Sequence, residues 1–115
     1  YMAIKIFHNN QCSKSRCAIQ LLKEKSIDFE VVEYLKTPLN KKELTELIQL
    51  LGIHPEELVR KNEAIYKEHF TGKRLKKSEW ITALVKYPKL IERPIVLNNG
   101  KAVIGRPVER ILEIL

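Results

Sequence analysis

Phe7-His8-Asn9-Asn10-Gln11-Cys12-Ser13-Lys14-Ser15-Arg16-Cys17 lies where one periodicity gives way to another. Before it, Met2-Ala3-Ile4-Lys5-Ile6-Phe7 is a short apolar run with strand alternation; after it, Ala18, Leu21 and Leu22 recur at helical spacing. Cys12 therefore falls at a strand-to-helix turn. Unsatisfied N–H groups and the positive end of the helix dipole converge at such a turn, and with Lys14 and Arg16 nearby they favour thiolate over thiol. A nucleophile is then available at neutral pH. The neighbours Gln11, Ser13 and Lys14 are polar, which argues against a merely buried thiol.

Working outward, the chain has 115 residues, 44% of them hydrophobic, with two cysteines and four glycines. That suits one globular domain and no disulfide framework, so a reducing, cytoplasmic compartment is expected. No stretch approaches the roughly 20 apolar residues of a membrane span. The net charge of +7 raises the question of nucleic acid, and Lys73-Arg74-Leu75-Lys76-Lys77 is the densest basic cluster. Aromatic residues are few and no nucleic-acid-binding signature can be placed, so the cluster reads as a solvated loop. The charge also suits a small anionic substrate.

Ile27–Tyr34 is β-branched and aromatic and reads as a second strand, giving a right-handed parallel β-α-β unit with the first. After Pro38, Asn40 with Glu43 reads as a capping box opening a helix that carries Leu44, Leu47, Ile48 and Leu51 and ends at Gly52. His54-Pro55-Glu56-Glu57 starts another helix that continues through Arg60, Asn62 caps a short one, and Ser78 opens one with Trp80, Ile81, Leu84 and Val85. Residues 38–88 thus form a helical block, expected to pack within the one domain, 1–115. Pro94–Leu97 and Lys101–Ile104 flank Asn98-Asn99-Gly100, a strong hairpin signal. Pro107 then opens a last helix with Val108, Ile111, Leu112 and Leu115 on its apolar side.

This order, together with His8-Asn9-x-x-Cys12-Ser13-Lys14-Ser15-Arg16, Tyr34-Leu35-Lys36-Thr37-Pro38, Pro88–Val96 and Gly105-Arg106-Pro107, resembles the glutaredoxin-coupled arsenate reductase (ArsC) family of the thioredoxin superfamily. The resemblance covers essentially the whole chain and lies closer to the family's shorter arsenate-reductase-like branch. Asn10 stands where the family usually has proline, and Cys17 where it usually has a polar residue. The resemblance implies an α/β, thioredoxin-like fold: β-α-β, an inserted helical block, then β-β-α, with a four-stranded mixed sheet. It also implies an oxidoreductase in which Cys12 attacks arsenate, or a similar small oxyanion, to form a covalent adduct that glutathione and glutaredoxin resolve to arsenite. Arg60, Arg93 and Arg106 would surround the oxyanion. Pro94 would be the superfamily's cis proline. Glutathione is then a co-substrate, with no bound cofactor or metal, no nucleic-acid or membrane partner, and a monomeric chain.

Chemistry gives these residue types a reason. A tetrahedral oxyanion spreads charge over several oxygens, which guanidinium groups hold in bidentate fashion. Arg93 and Arg106 each precede a proline at an end of the returning hairpin, whereas Arg60, read on a helix beside Glu56, Glu57 and Lys61, suits a surface salt bridge equally well. His8 fits two roles beside Cys12, as acceptor from the thiol or, when protonated, as a stabiliser of the thiolate, and suits a capped loop histidine comparably well. Ser15 fits two as well, donating its hydroxyl to the sulfur or capping the helix. Cys17, about 500° around the helix from Cys12, points to a different side and would need backbone movement to form a disulfide with it, and it reads as core or half-buried. Alternatives to the reductase are an Spx-like regulator that binds RNA polymerase and a general thiol-transfer oxidoreductase. Ser15, in place of a second cysteine, and Arg106 both favour the reductase.

Overall fold

A computed structural model describes residues 4–115, so Met2 and Ala3 of the expected first strand lie outside the described residues. The chain divides into two compact units, one made of residues up to Thr37 together with Arg93–Leu115, the other Pro38–Glu92.

The first unit is built on a four-stranded mixed sheet, as the family resemblance implied. Strand β1 (Ile4–Phe7) leads into helix α1 (Ser13–Glu24), and β2 (Phe29–Val32) returns parallel to β1 with Ile4 opposite Phe29. β2 is shorter at both ends than the Ile27–Tyr34 run. On the other side of β1 lies β3 (Ile95–Asn98), antiparallel to it, and β4 (Lys101–Ile104) pairs with β3 at the edge. Asn99 and Gly100 have φ of 51° and 78°, the left-handed pair that a two-residue type I′ turn requires. This turn fixes the hairpin register from Asn98↔Lys101 to Ile95↔Ile104.

On one face of the sheet Ala18 and Leu22 of α1 pack with Ile4, Ile6, Val96, Val103 and Ile111. Ile111 belongs to a 3-10 helix, Val108–Ile114, where the sequence suggests an α-helix. Gly105 shows how tight this corner is. Its N–H donates to the Pro94 carbonyl at 2.8 Å, and a Cβ at Gly105 would stand 3.0 Å from Pro94 Cγ and 3.1 Å from Ile111 Cδ1.

The second unit is helical. α2 (Lys41–Leu51) begins with the expected Asn40–Glu43 capping box and ends at Gly52, whose φ of 67° needs glycine's freedom. A 3-10 turn, Pro55–Leu58, replaces the longer helix expected there, which leaves Arg60 outside any helix. α3 (Ala64–His69) is capped at Glu63 rather than Asn62, and α4 (Lys77–Lys86) begins one residue before Ser78. Leu44, Leu47, Ile48, Leu58, Leu84 and Leu90 fill this unit's interior, and Trp80 stacks on Tyr66 at 6.4 Å. The basic cluster Lys73–Lys77 is solvated except for the half-buried Leu75. Among the described residues no helix is long and apolar enough to cross a membrane.

Gly105→Ala is expected to destabilise the protein by about 1–3 kcal/mol, because the new methyl group overpacks against Pro94 and Ile111. The measurement is urea unfolding, where the midpoint should fall at an unchanged slope.

Candidate active site

Cys12 occupies the N-cap position of α1, in extended conformation (φ −96°, ψ 120°), and is half-buried. Burial pushes its thiol up. The opposing groups prevail: the backbone N–H of Ser15, the guanidinium of Arg93 by hydrogen bond and charge, and the N–H of Lys14 together hold Cys12 below the ordinary thiol range. Ser15 and Lys14 lie in the first turn, where N–H groups have no partner within the helix.

Both hairpin-end arginines reach the sulfur. Ile95 opposes Ile104 in the ladder. Arg93, two residues before one, and Arg106, two residues after the other, therefore meet at the same end of the hairpin. Arg106 Nε donates to the Arg93 carbonyl at 2.6 Å, while its Nη2 donates to Cys12 Sγ at 3.5 Å. Arg93 is itself buried, at 9% exposure. Burial alone would lower its ionisation, yet hydrogen bonds and charge interactions with Cys12 and Tyr34 carry it the other way. The shifts of Cys12 and Arg93 agree: each holds the other in its charged form. The peptide between Arg93 and Pro94 is cis, as is that between Arg106 and Pro107.

The loop before Cys12 is closed by local bonds. Cys12 N–H donates to the Asn9 carbonyl at 3.0 Å, Gln11 N–H to Asn9 Oδ1 at 3.0 Å, and Asn9 N–H to Ser15 Oγ at 3.2 Å. His8, at 3% exposure, bonds Asn10 Oδ1 through Nε2 at 2.7 Å, and its Nδ1 is buried without a partner among the described residues. Among the described residues no cluster of His, Cys, Asp and Glu is arranged to hold a metal ion.

Comparison with known proteins places this geometry in a family. The ArsC family model matches residues 7–114. The chain belongs to the ArsC family. Among relatives, the Escherichia coli (strain K12) protein YfgD is 48% identical, covering 97% of this chain and 96% of its own. Arsenate reductase of Neisseria meningitidis serogroup B is 45% identical, covering 97% of each chain. Among solved structures, arsenate reductase from Vibrio cholerae superposes with a TM-score of 0.94 at 43% identity, over 99% of this chain and 98% of that one. The fold of this ArsC chain is accordingly thioredoxin-like, as its motifs suggested.

The structure brings Cys12, Arg93, Arg106 and Pro94 into one corner of the first unit. Arg60 belongs to the second unit, where it is half-buried and ion-paired with Glu63 and Glu92, each at 3.5 Å, and its N–H donates to the Leu90 carbonyl at 2.7 Å. It does not pair with Glu56, which Lys61 engages at 2.9 Å. Ser15 serves the sulfur through its backbone N–H, while its hydroxyl accepts from Asn9, a role that neither sequence reading supplied. Cys17 is exposed, which corrects the expectation of a core or half-buried thiol. The buried face of α1 centres on Ser15, Ala18 and Leu22, so Leu21, one turn beyond Cys17, is itself only at the edge of that face. Tyr34, at 1% exposure, was not singled out from sequence as a site residue; a tyrosine just past an apolar strand carries no local sign of an arginine partner 59 positions on.

Alkylation of Cys12 across pH, followed by mass spectrometry of its peptide, should show a midpoint below that of the same residue in the urea-unfolded chain. In Arg93→Ala the midpoint should rise, because a cation that favours the thiolate has gone. Equal midpoints in both proteins would mean that Arg93 does not govern the sulfur.

Proposed function

We propose that this protein reduces arsenate to arsenite through a covalent thiol–arsenate adduct on Cys12, with glutathione and glutaredoxin as reductant. What carries the reading is the thiolate-favouring sulfur between Arg93 and Arg106, in a chain 45% identical to a Neisseria meningitidis arsenate reductase. Cys12 sulfur attacks arsenic, and one arsenate oxygen leaves as water after taking up protons. Glutathione thiolate then attacks arsenic and displaces a second oxygen as water. A glutaredoxin thiolate attacks the glutathione sulfur and breaks its bond to arsenic, so that arsenic gains the two electrons of that bond and the two sulfurs leave as a mixed disulfide. Water then hydrolyses the remaining Cys12–arsenic bond, which releases arsenite and restores the Cys12 thiol.

The residues at the sulfur suit each demand of this sequence. A thiolate is the nucleophile needed, and fixed donors that hold its charge require no reorganisation when charge moves onto the arsenate oxygens. Arg93 and Arg106 offer planar N–H forks of the geometry an oxyanion accepts. A thiol-transfer role alone would need the sulfur but not two guanidinium groups beside it.

The test is arsenate-dependent NADPH oxidation coupled through glutathione, glutaredoxin and glutathione reductase. Cys12→Ser should abolish turnover while folding normally, since a serine hydroxyl stays protonated at neutral pH. Cys17→Ser should retain turnover, and because Cys17 is exposed its stability should change little. Inactivity of a folded Cys17→Ser protein would point instead to a dithiol mechanism. Arg60→Ala in the same assay decides whether that residue has the oxyanion role implied by resemblance or serves only its ion pairs.

Sulfate, a tetrahedral anion without redox chemistry, should slow alkylation of Cys12 competitively. Losing one charged hydrogen-bonding group costs about 1.5–3 kcal/mol, so Arg93→Ala or Arg106→Ala should weaken this protection roughly 10- to 150-fold. Each lysine variant should recover only part of the loss. Equal protection of all variants, or of none, would sink the oxyanion reading.

A further inference from the structure

We propose that Asn10 and Glu33 form a tie that positions the Cys12 loop, so that the sulfur meets its donors in register. The inference rests on the reading of Cys12 as the nucleophile and adds two positioning residues to it.

The direction of each bond follows from donor chemistry. Glu33 Oε1 lies 2.9 Å from Asn10 Nδ2, and a carboxylate can only accept, so the amide nitrogen faces Glu33. The amide oxygen therefore faces His8, 2.7 Å from Nε2. Because that oxygen also only accepts, His8 Nε2 is the donor in this bond. The Asn10 carbonyl in turn accepts from Arg16 Nη1 at 3.0 Å. Asn10 thus joins the residue after β1, the residue after β2 and the first turns of α1. Glu33 is anchored as well: Thr37 Oγ1 donates to its carbonyl at 3.3 Å, and Lys36 Nζ lies 3.5 Å from the same carboxylate oxygen that Asn10 engages.

Cys12 lies two residues beyond Asn10. Its sulfur depends on the N–H groups of Ser15 and Lys14 and on Arg93 and Arg106, which come from α1 and from the far hairpin. Directional bonds to a backbone N–H weaken steeply with misalignment. A loop free to shift would loosen them even with every donor still present. Asn10 is exposed and Glu33 only half-buried, so the bonds between them contribute little to overall stability. Their consequence is for position.

The test compares Asn10→Ala, Glu33→Ala and Glu33→Gln in a Cys17→Ser background, so that only Cys12 reacts with iodoacetamide. In Asn10→Ala the pH–rate profile should move to higher pH, with alkylation about 2- to 10-fold slower below the wild-type midpoint. The high-pH plateau should be unchanged, since the thiolate is then fully formed and equally accessible. Glu33→Gln keeps an oxygen that accepts from Asn10 and should stay within about twofold of the parent. Glu33→Ala loses the acceptor and should lie on the Asn10→Ala side of Glu33→Gln. Melting temperatures should change by less than about 4 °C.

A parental profile in Asn10→Ala overturns the proposal. So does a Glu33→Gln shift as large as that of Asn10→Ala, which would assign the effect to charge, and so does a collapsed melting transition, which would assign it to folding. Alkylation needs neither arsenate nor glutathione. A displaced profile in a protein without arsenate turnover therefore leaves the tie standing while the functional reading fails, and normal turnover with undisplaced profiles does the reverse.

Discussion

A half-buried sulfur is held as an anion only if donors on several sides outweigh the loss of water, and much of the first unit is arranged around that balance. Burial works against the Cys12 thiolate, while Ser15, Arg93 and Lys14 work for it. Two of these donors are backbone groups that exist because a helix starts there. The third is a side chain delivered from the opposite end of the chain. Neither source depends on residues near Cys12 being charged, which is why Lys14 and Arg16, the cations nearest in sequence, are not the ones that set the sulfur's state. Arg16 is instead turned to the Asn10 carbonyl.

The delivery of two arginines to one sulfur traces back to a turn of two residues. With Asn99 and Gly100 both left-handed, the strands they join can pair only as Asn98 with Lys101 and so on to Ile95 with Ile104. Arg93 and Arg106 must then emerge together. A slip of one residue would turn the hairpin's side chains to the other face and separate the pair from the sulfur. Gly105 completes the arrangement by letting the chain pass Pro94 and Ile111 so closely that a Cβ there would require their side chains to give way. Burying Arg93 would be costly with nothing to face it. Cys12 and Tyr34 supply the partners, so the same contact that favours the thiolate also makes the arginine's burial tolerable.

What the sequence made legible follows from the range of each signal. The Asn-Gly hairpin, the Asn40–Glu43 box and the Gly52 stop are decided within a few residues, and the structure has all of them. The strand-helix-strand start and the position of Cys12 come from periodicity, which is nearly as local. Signals settled by distant partners were not readable. Tyr34 beside Arg93, Arg60 between Glu63 and Glu92, and the use of the Ser15 hydroxyl by Asn9 all depend on how the chain returns upon itself. The short helices depart from the sequence pattern for a related reason: Pro55 and Pro107 mark where a helix can start, but whether the turn that follows is α or 3-10 depends on packing. Asn10 is the sharpest case. In sequence it is a missing proline and thus a loss of stiffness, whereas in the fold its side chain reaches across to Glu33, and its carbonyl takes the Arg16 guanidinium, so the loop is held by hydrogen bonds where proline would hold it by a fixed φ.

The two cysteines of α1 separate exposure from reactivity. Cys17 is the more accessible, yet it lies within the body of the helix, where N–H groups are taken up by carbonyls one turn earlier and none is left to face a sulfur. Cys12 is partly covered, which by itself opposes ionisation, but it sits before the first turn, where Lys14 and Ser15 still have N–H groups to give. Moving a thiol by five positions along one helix thus exchanges open solvent for a set of fixed donors. For the proposed attack on a bound oxyanion, the fixed donors are the more useful surroundings, because solvent stabilises a thiolate without orienting it and would have to be cleared before the anion could approach.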